Sequence, residues 1–566
     1  MRKPLRLKGI GASIGIAIAP ARVLDHERRR LSYARIEDSD VHTELARFEE
    51  ALRRSRAEIE EAKGALVERH GATYAPILDV YLLMHDDALL IDAVTEAIRT
   101  DAISAEWAVS RVTERLRAPL LRDSSAYFRE RARDIEHVEE HLLRHLGGGH
   151  RAETTFDEPV VLVAHDLSPA DAVHMLAPPT VALVTQAGAG SSHTAILART
   201  FGVPAVVGVG TLGLEIADGE EVLVDGFAGE VRVGLSAEGR REAEARRKRF
   251  LAFLDAEPTA AARTTDGTRV TVAANVELLT ELESALENGA EGIGLYRTEF
   301  MCLDHAEPPS EEEQFELYRS VAAAVAPNDV VFRTFDWRGD KRLRANDLDA
   351  EKRGWLKTQV KAVLRASSEG SVSLVFPMVA SVEELQSAKA LVAEARDELA
   401  DQRASTAALP IGMMVEVPSA ALLADRFVEH ADFFAVGTND LAHYTMALDR
   451  ADGRALASPL DPSVLRLIAT TVKAADRAGI PCSLCGDMAA TPISLALALG
   501  LGFRMVSVAV GIVPLARSVI RNVDLEAARR VADQALSCDS AAEVRKLLVD
   551  RLGASVDPLS GHPGKA

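Results

Sequence analysis

A glycine-rich turn opens onto a histidine at Gly188-Ala189-Gly190-Ser191-Ser192-His193, and Thr194 to Arg199 continue it with a helical pattern. Ser191 or Ser192 has the side chain to cap that helix, which puts His193 in its first turn. There the positive end of the helix keeps an imidazole neutral, hence nucleophilic, and steadies a dianion placed on it. The dipole is worth about 0.3–2 kcal/mol, and free backbone N–H groups add direct hydrogen bonds. A phosphoryl acceptor needs both features. A histidine that simply caps its own helix fits the same residues, so this segment alone leaves both readings open.

A second set of chemically competent residues lies further along. Arg297, Arg333, Glu416, the pair Asn439-Asp440, and Cys485 fall at the ends of five different apolar runs. Arg297 and Arg333 are fixed cationic forks suited to phosphoryl oxygens, and Arg450 follows closely enough to join them. Glu416 and Asp440 are hard oxygen donors. Two carboxylates completed by substrate oxygens and water is a usual way to hold Mg²⁺. Two such carboxylates also suit general acid/base work, and three nearby arginines tilt the balance to metal and phosphate. Cys482-x-x-Cys485 suggests zinc or redox chemistry, but Cys302 and Cys538 are single and distant in sequence. Cys485 reads instead as a rim thiol able to donate a proton, with Cys482 packed inside.

Three further patterns carry less. Gly208-x-Gly210-x-x-Gly213 follows a strand without the helix and acid of a dinucleotide site, and reads as a turn. His137, His141 and His145 line one helix face at four-residue spacing; with no fourth ligand in the pattern they read as a solvated face. Arg28-Arg29-Arg30 reads as a solvated loop.

The elements that must position these residues are legible by period. From Val270 to Val510 eight apolar runs occur: Val270 to Val276, Gly292 to Thr298, Val330 to Asp336, Val372 to Val379, Ile411 to Val417, Phe433 to Asp440, Pro481 to Asp487 and Phe503 to Val510. Amphipathic stretches such as Ser381 to Leu399 and Pro462 to Ala478 separate most of them. That alternation predicts a closed (β/α)8 TIM-type barrel, whose active site forms at the C-terminal ends of the strands. The polar residues above fall on that rim. Upstream, glycine-punctuated strands at residues 1–25 give way to long amphipathic helices, among them Val41 to His70 and Ser104 to Leu116, which stop at Gly147-Gly148-Gly149. Short strands and helices then alternate to Val233. The expected organisation is an α/β domain formed by 1–25 and 147–233, an inserted α-helical subdomain at 26–146, a linker helix within 234–261, and the barrel at 262–566.

The 566 residues are 48% hydrophobic and 27% charged, ordinary globular usage with core for about three or four domains. A net charge of −20 disfavours nucleic acid and anionic membranes, so an anionic substrate must meet a local cluster of arginine. Four cysteines do not make a disulfide scaffold and suit a reducing, cytoplasmic setting. The basic start followed by Gly9 to Ala21 superficially resembles a signal peptide, but Gly9, Gly11 and Gly15 and the run Ile14 to Ile18 read better as a strand. No uncharged run of membrane-spanning length occurs, so membrane insertion is not expected.

Taken together these motifs resemble the enzyme I family of the bacterial phosphoenolpyruvate–sugar phosphotransferase system, the phosphoenolpyruvate–protein phosphotransferases. The resemblance covers nearly the whole chain, from Gly9 to Leu24 and Leu82-Leu83-Met84 through Arg129-Glu130-Arg131-Ala132 and the His193 motif. It continues through Gly292 to Phe300, Phe376-Pro377-Met378, Met414 to Ser419, Gly437-Thr438-Asn439-Asp440-Leu441 and Cys485-Gly486-Asp487-Met488-Ala489. The resemblance implies a swivelling phosphohistidine domain in which His193 is phosphorylated and Ser168, in Asp166-Leu167-Ser168-Pro169, orients it. It implies that Arg297, Arg333, Asn439, Asp440 and Arg450 bind phosphoenolpyruvate, that Glu416 and Asp440 hold Mg²⁺, and that Cys485 protonates the enolate. It further implies that the helical subdomain docks the phosphocarrier protein HPr, that the barrel makes a homodimer, and that segments near 147–158 and 233–262 act as hinges.

The chain also departs from the family. Where the family has a pattern like Asp-x-Gly-Gly-Asp-Lys, Asp336-Trp337-Arg338-Gly339-Asp340-Lys341 places an arginine for a glycine. The stretch Leu348 to Trp355 is shortened and lacks the Asn-Pro that precedes a further phosphate-binding arginine; Arg338, Arg342 and Arg353 are the substitutes at hand. The Cys485 segment ends Ala-Ala-Thr, where the family often has Ala-Gly-Asp. Losing one charge-assisted clamp costs on the order of 10²-fold in rate. The competing expectation is therefore a catalytically impaired regulatory paralogue that binds phosphoenolpyruvate or a carrier. A pyruvate phosphate dikinase or phosphoenolpyruvate synthase is not expected, since those enzymes need a nucleotide-grasp domain and fewer than 200 residues, mostly charged helices, precede His193.

Overall fold

The computed structural model describes residues 5–24, 33–70, 75–122, 126–147, 156, 158–188, 192–210, 216–254, 261–277, 279, 281–302, 309–335, 350–448 and 458–556. Two compact units divide the chain between Phe250 and Leu251.

In the first unit, β1 (Leu5–Lys8), β2 (Ile10–Ser13) and β3 (Ile16–Leu24) precede five helices: α1 (Val41–His70), α2 (Ala75–His85), α3 (Ala88–Asp101), α4 (Ala105–Arg122) and α5 (Ala126–Leu146). The chain then alternates through β4 (Val160–Ala164), α6 (Pro169–Met175), β5 (Thr180–Thr185), α7 (His193–Thr200), β6 (Ala205–Val207), β7 (Glu221–Asp225) and β8 (Glu230–Val233), and leaves through α8 (Ala237–Leu254). The eight strands form one sheet in the order β1-β8-β7-β3-β4-β5-β6-β2. Its centre, β3 to β6, is parallel, and its flanks pair antiparallel.

The pleat explains how the helices attach. Leu162 and Leu183 join α6, α7 and the inserted helices in one core, whereas Val161, Val163, Ala182 and Val184 turn to a second core with β7 and β8. Alternation with period two sends neighbours in a strand to opposite faces, so apolar strands such as Val160–Ala164 serve both. The helical insert is thereby packed on the face of the sheet that carries α7.

The second unit is a closed barrel of eight parallel strands: β9 (Thr271–Val276), β10 (Gly292–Arg297), β11 (Asp329–Arg333), β12 (Ser371–Phe376), β13 (Ile411–Val415), β14 (Phe434–Val436), β15 (Cys482–Leu484) and β16 (Met505–Ala509). Every apolar run singled out in the sequence supplies one strand. The closing pair is β16 with β9, in register from Met505↔Thr271 to Ala509↔Asn275. No described helix is long and apolar enough to cross a membrane.

Candidate active site

Inside the barrel Leu295, Val375, Met414, Ala435 and Cys485 form an apolar layer, with Val331 against it. Residues two further along a strand lie on the same face. Leu295 therefore stacks Arg297 above it, Val331 stacks Arg333, and Met414 stacks Glu416. The three charged side chains crown the apolar plug at the C-terminal end, where such barrels do their chemistry. Arg297 and Arg333 are directly paired across β10 and β11, so their guanidinium groups share one side of the mouth.

Each arginine is held. Arg297 is paired with Glu277, just past β9, and Arg333 Nη2 lies 2.8 Å from Glu299. Arg333 is 5% exposed, and its Nη1 reaches the Met414 sulfur at 4.0 Å. A buried amide network braces the loops that follow both strands. Gln359 accepts from Phe335 N at 2.9 Å and donates to Thr298 Oγ1 at 2.9 Å, while Thr298 donates to the Arg333 carbonyl at 2.8 Å.

Glu416, 1% exposed, accepts from Met378 N at 2.7 Å. Met378 has φ +58°, a left-handed conformation that a non-glycine residue rarely adopts. Gly437 is required beside it, because a Cβ there would stand 2.7 Å from Glu416 Oε2. Asn439 and Asp440 begin the helix Thr438–Thr445; Asn439 exchanges bonds with Asp487, 2.9 Å to the carboxylate and 3.0 Å from its N–H. The Cys485 thiol contacts the Val436 carbonyl at 3.4 Å. Burial pushes it up to about 12, with Glu416 raising it, Arg333 and Arg297 opposing, and Asp440 adding to the rise. The thiol is thus a protonated donor surrounded by the same four charged groups. Cys482 is part-buried at the start of β15, with its thiol pushed up by burial; both cysteines are free thiols.

In the first unit Ser192 caps α7, accepting from Ala195 N at 3.3 Å, and His193 is its first residue. His193 keeps about a quarter of its side chain exposed, and its Nδ1 lies 3.5 Å from the buried Asp134 Oδ1. That oxygen also accepts from Tyr81 Oη at 2.6 Å, and the Tyr81 ring meets the His193 ring edge-on at 6.4 Å. Burial pushes Asp134 up, but its bonds to His193 and Tyr81, with Arg131 nearby, outweigh that and hold it below the usual carboxylate range. Ser168 caps α6; its hydroxyl donates to Asp171 at 2.7 Å and lies 3.0 Å from His141 Nε2. Thr194 ties the start of α7 to the same loop through the Leu167 carbonyl at 2.6 Å.

The α5 histidines correct the sequence reading. His137 and His141 are buried, and the His145 side chain is only 8% exposed, so this is not a solvated face. His137 faces Asp166 at 3.6 Å, His141 faces Asp171 at 3.6 Å, and His145 bonds Glu58 at 2.9 Å. The helical period was visible; the carboxylates lie on other elements, and only packing brings them opposite. Among the described residues no group of three or more His, Cys, Asp or Glu is arranged to hold a metal ion. Two carboxylates plus substrate oxygens fall below that number and suit a hard divalent cation.

Arg450, Arg338 and Arg342 lie outside the described residues, as do Ser191, Arg28 to Arg30 and most of the 147–158 connector. Arg353 is engaged elsewhere, with Glu394 at 2.8 Å on the exposed helical layer. Gly208 and Gly210 have φ +68° and +76°, as a turn requires, and Gly213 lies outside the described residues. Sequence reasoning missed Tyr81, Asp134, Glu277, Glu299 and Gln359.

Three family models match the chain: PEP-utilising enzyme, N-terminal, over residues 8–131; PEP-utilising enzyme, mobile domain, over 156–229; and PEP-utilising enzyme, PEP-binding domain, over 252–525. Among curated proteins the chain is similar to the phosphoenolpyruvate-protein phosphotransferase of Bacillus sp. (strain S), 37% identical over 563 residues covering 95% of this chain and 96% of that one. It is equally similar to that of Geobacillus stearothermophilus, at 37% with the same coverage, and 36% identical to that of Bacillus subtilis (strain 168), covering 95% and 98%.

Proposed function

The chain belongs to the phosphoenolpyruvate–protein phosphotransferase family of PEP-utilising enzymes, and on that premise we propose which of its residues carry the reaction. The protein is an enzyme of the phosphotransferase system that moves a phosphoryl group from phosphoenolpyruvate to protein. The observation that carries the residue assignment is the crown of Arg297, Arg333 and Glu416 above the apolar plug, with the protonated Cys485 thiol among them.

Arg297 and Arg333 bind the phosphate as paired forks, assisted by Asn439 and Arg450, while Asp440 would act on the substrate through the cation it holds with Glu416. Glu416 and Asp440 are the donors for Mg²⁺, which when bound neutralises charge on the phosphoryl oxygens. The His193 Nε2 lone pair attacks phosphorus in line with the bridging oxygen; the new N–P bond forms as the old O–P bond breaks, and its electron pair leaves with enolpyruvate. Asp134 stays on the Nδ1 side and balances the imidazolium charge. Cys485 gives its proton to the terminal carbon, yielding pyruvate, and the thiolate recovers a proton from solvent. Ser168 acts on His193 indirectly, by fixing the α6 loop to which Thr194 is tied.

The carrier we propose is HPr, docked by the inserted helices, with a homodimer formed through the barrel and a cytoplasmic location. A pyruvate-release assay tests the carrier. Without HPr, pyruvate stops at about one equivalent per chain; with HPr it continues. Phosphorylation that never becomes continuous with HPr rejects HPr as the acceptor.

A further inference from the structure

The hydroxyl of Tyr81 has a directional place in a buried chain of polar groups that ends at His193. It donates its one proton to Asp134 Oδ1 at 2.6 Å, the length of a charge-assisted O–H···O⁻ bond. Its oxygen then has only acceptor capacity left, and His137 Nδ1 stands 3.3 Å away to supply a proton. His137 in turn faces Asp166 through Nε2 at 3.6 Å. Burial lowers the His137 value, but the Asp166 bond, with the charges of Asp166, Glu140 and Asp134, more than restores it and raises it overall. Both donors, His137 and Tyr81, therefore point toward Asp134. Asp134 has only acceptors to offer, so the group it faces on His193 is Nδ1–H.

We propose that Tyr81 is a positioning residue for phosphoryl transfer: its hydroxyl, bridging His137 and Asp134, fixes the carboxylate that holds Nδ1–H of His193 and so sets Nε2 as the nitrogen that accepts phosphorus. The inference rests on His193 being the acceptor. Three observations beyond distance support it. Tyr81 is 4% exposed, so its hydroxyl has no solvent to turn to. Its ring stands edge-on to the imidazole, with centroids 6.4 Å apart. Arg131 sits 3.6 Å from the far oxygen of Asp134 and leaves Oδ1 to the tyrosine and the histidine. Proton bookkeeping is simple: the Nδ1 proton stays in place, the Nε2 lone pair forms the N–P bond, and the Asp134 charge offsets the imidazolium.

The test is Tyr81→Phe in the full-length protein, which keeps the ring and removes the bridge. Two readouts separate positioning from mere folding: the tautomer of His193 in ¹⁵N-histidine spectra, assigned by difference from His193→Ala, and the nitrogen phosphorylated. Wild type should show the Nδ1–H tautomer and phosphate on Nε2. Tyr81→Phe should show mixed tautomers and a fall of about tenfold in the single-turnover rate, the loss of one charge-assisted bond. His137→Gln, which keeps a donor, should fall less. An unchanged tautomer and a rate within twofold of wild type overturn the proposal. Should Tyr81→Phe fail to fold, Asp134→Asn answers the same question, since wild-type tautomer and rate in that variant also overturn it. Acid-labile phosphate persisting in His193→Ala would instead defeat the assignment of His193 itself.

Discussion

The two guanidinium groups proposed to hold phosphate are already paired with carboxylates. Arg297 is paired with Glu277 and Arg333 with Glu299, so on the proposed assignment phosphoenolpyruvate would enter a mouth whose cations are neutralised in advance. The Arg297 pair is partly exposed, a class worth about 0.2–1 kcal/mol. Glu277→Gln should therefore lower KM for phosphoenolpyruvate by roughly two- to fivefold in a steady-state assay; a raised KM would mean that Glu277 orients the arginine instead of competing for it. Cys485→Ala should leave phosphohistidine formation detectable while pyruvate lags behind it by on the order of 10²-fold, as read by mass and pyruvate assayed in parallel. Arg297, Arg333 and Glu416 were legible because each ends an apolar run. Glu277 and Glu299 were not, since their roles lie in pairing with arginines of neighbouring strands, which only the folded barrel brings together. Tyr81 hid inside the largely apolar stretch Ile77 to Leu83, interrupted by Asp79, where the sequence does not show the partner of its hydroxyl.

At the scale of elements, site precision comes from a two-residue strand period topped by loops with no spare room. Gly437 and Gly486 line that rim. A Cβ on Gly486 would stand 2.0 Å from Thr438 Oγ1 and 2.7 Å from Thr438 N, and one on Gly437 would press Glu416. Gly437→Ala should cost at least about tenfold in phosphorylation rate through displaced Glu416, with circular dichroism unchanged; full activity would show that Glu416 is not in the site. Gln359 is fully buried and joins Phe335, Thr298 and Tyr318, so Gln359→Leu should destabilise the protein by about 2–4 kcal/mol in urea titration. All eight barrel runs were readable, even though β14 and β15 shrink to three residues, because parallel strands buried on both faces are nearly continuous apolar tracts. The α5 histidines were misread because a helix period shows which residues share a face and not what lies opposite.

Across the whole molecule, opposing titrations set a pH window. Asp134, Asp166 and Asp171 are pushed up by burial yet held below the usual range by His193, His137 and His141 respectively, with Arg144 also on Asp171. Their stabilisation is complete above about pH 3.9 and is lost as pH falls through their lower folded values. His137 is raised, so its contribution is complete below about pH 6.5 and is lost as pH climbs through its folded value. Thermal unfolding should show the insert most firmly attached between those limits, and Asp171→Asn should flatten the acid limb; an unaltered acid limb would remove Asp171 from the account. The barrel adds an alkaline limb, since the buried Cys485 thiol resists ionisation that the unfolded chain undergoes from about pH 8.5. With a net charge of −20, the chain depends on its local arginines to receive an anionic substrate. The most direct measurement of the central claim is intact-protein mass after mixing with phosphoenolpyruvate and Mg²⁺, beside His193→Ala, with released pyruvate assayed. One acid-labile phosphoryl adduct, absent from the variant and matched by pyruvate, is the predicted result. Wild type that binds phosphoenolpyruvate yet takes up no phosphate, or an adduct that survives in His193→Ala, would contradict it.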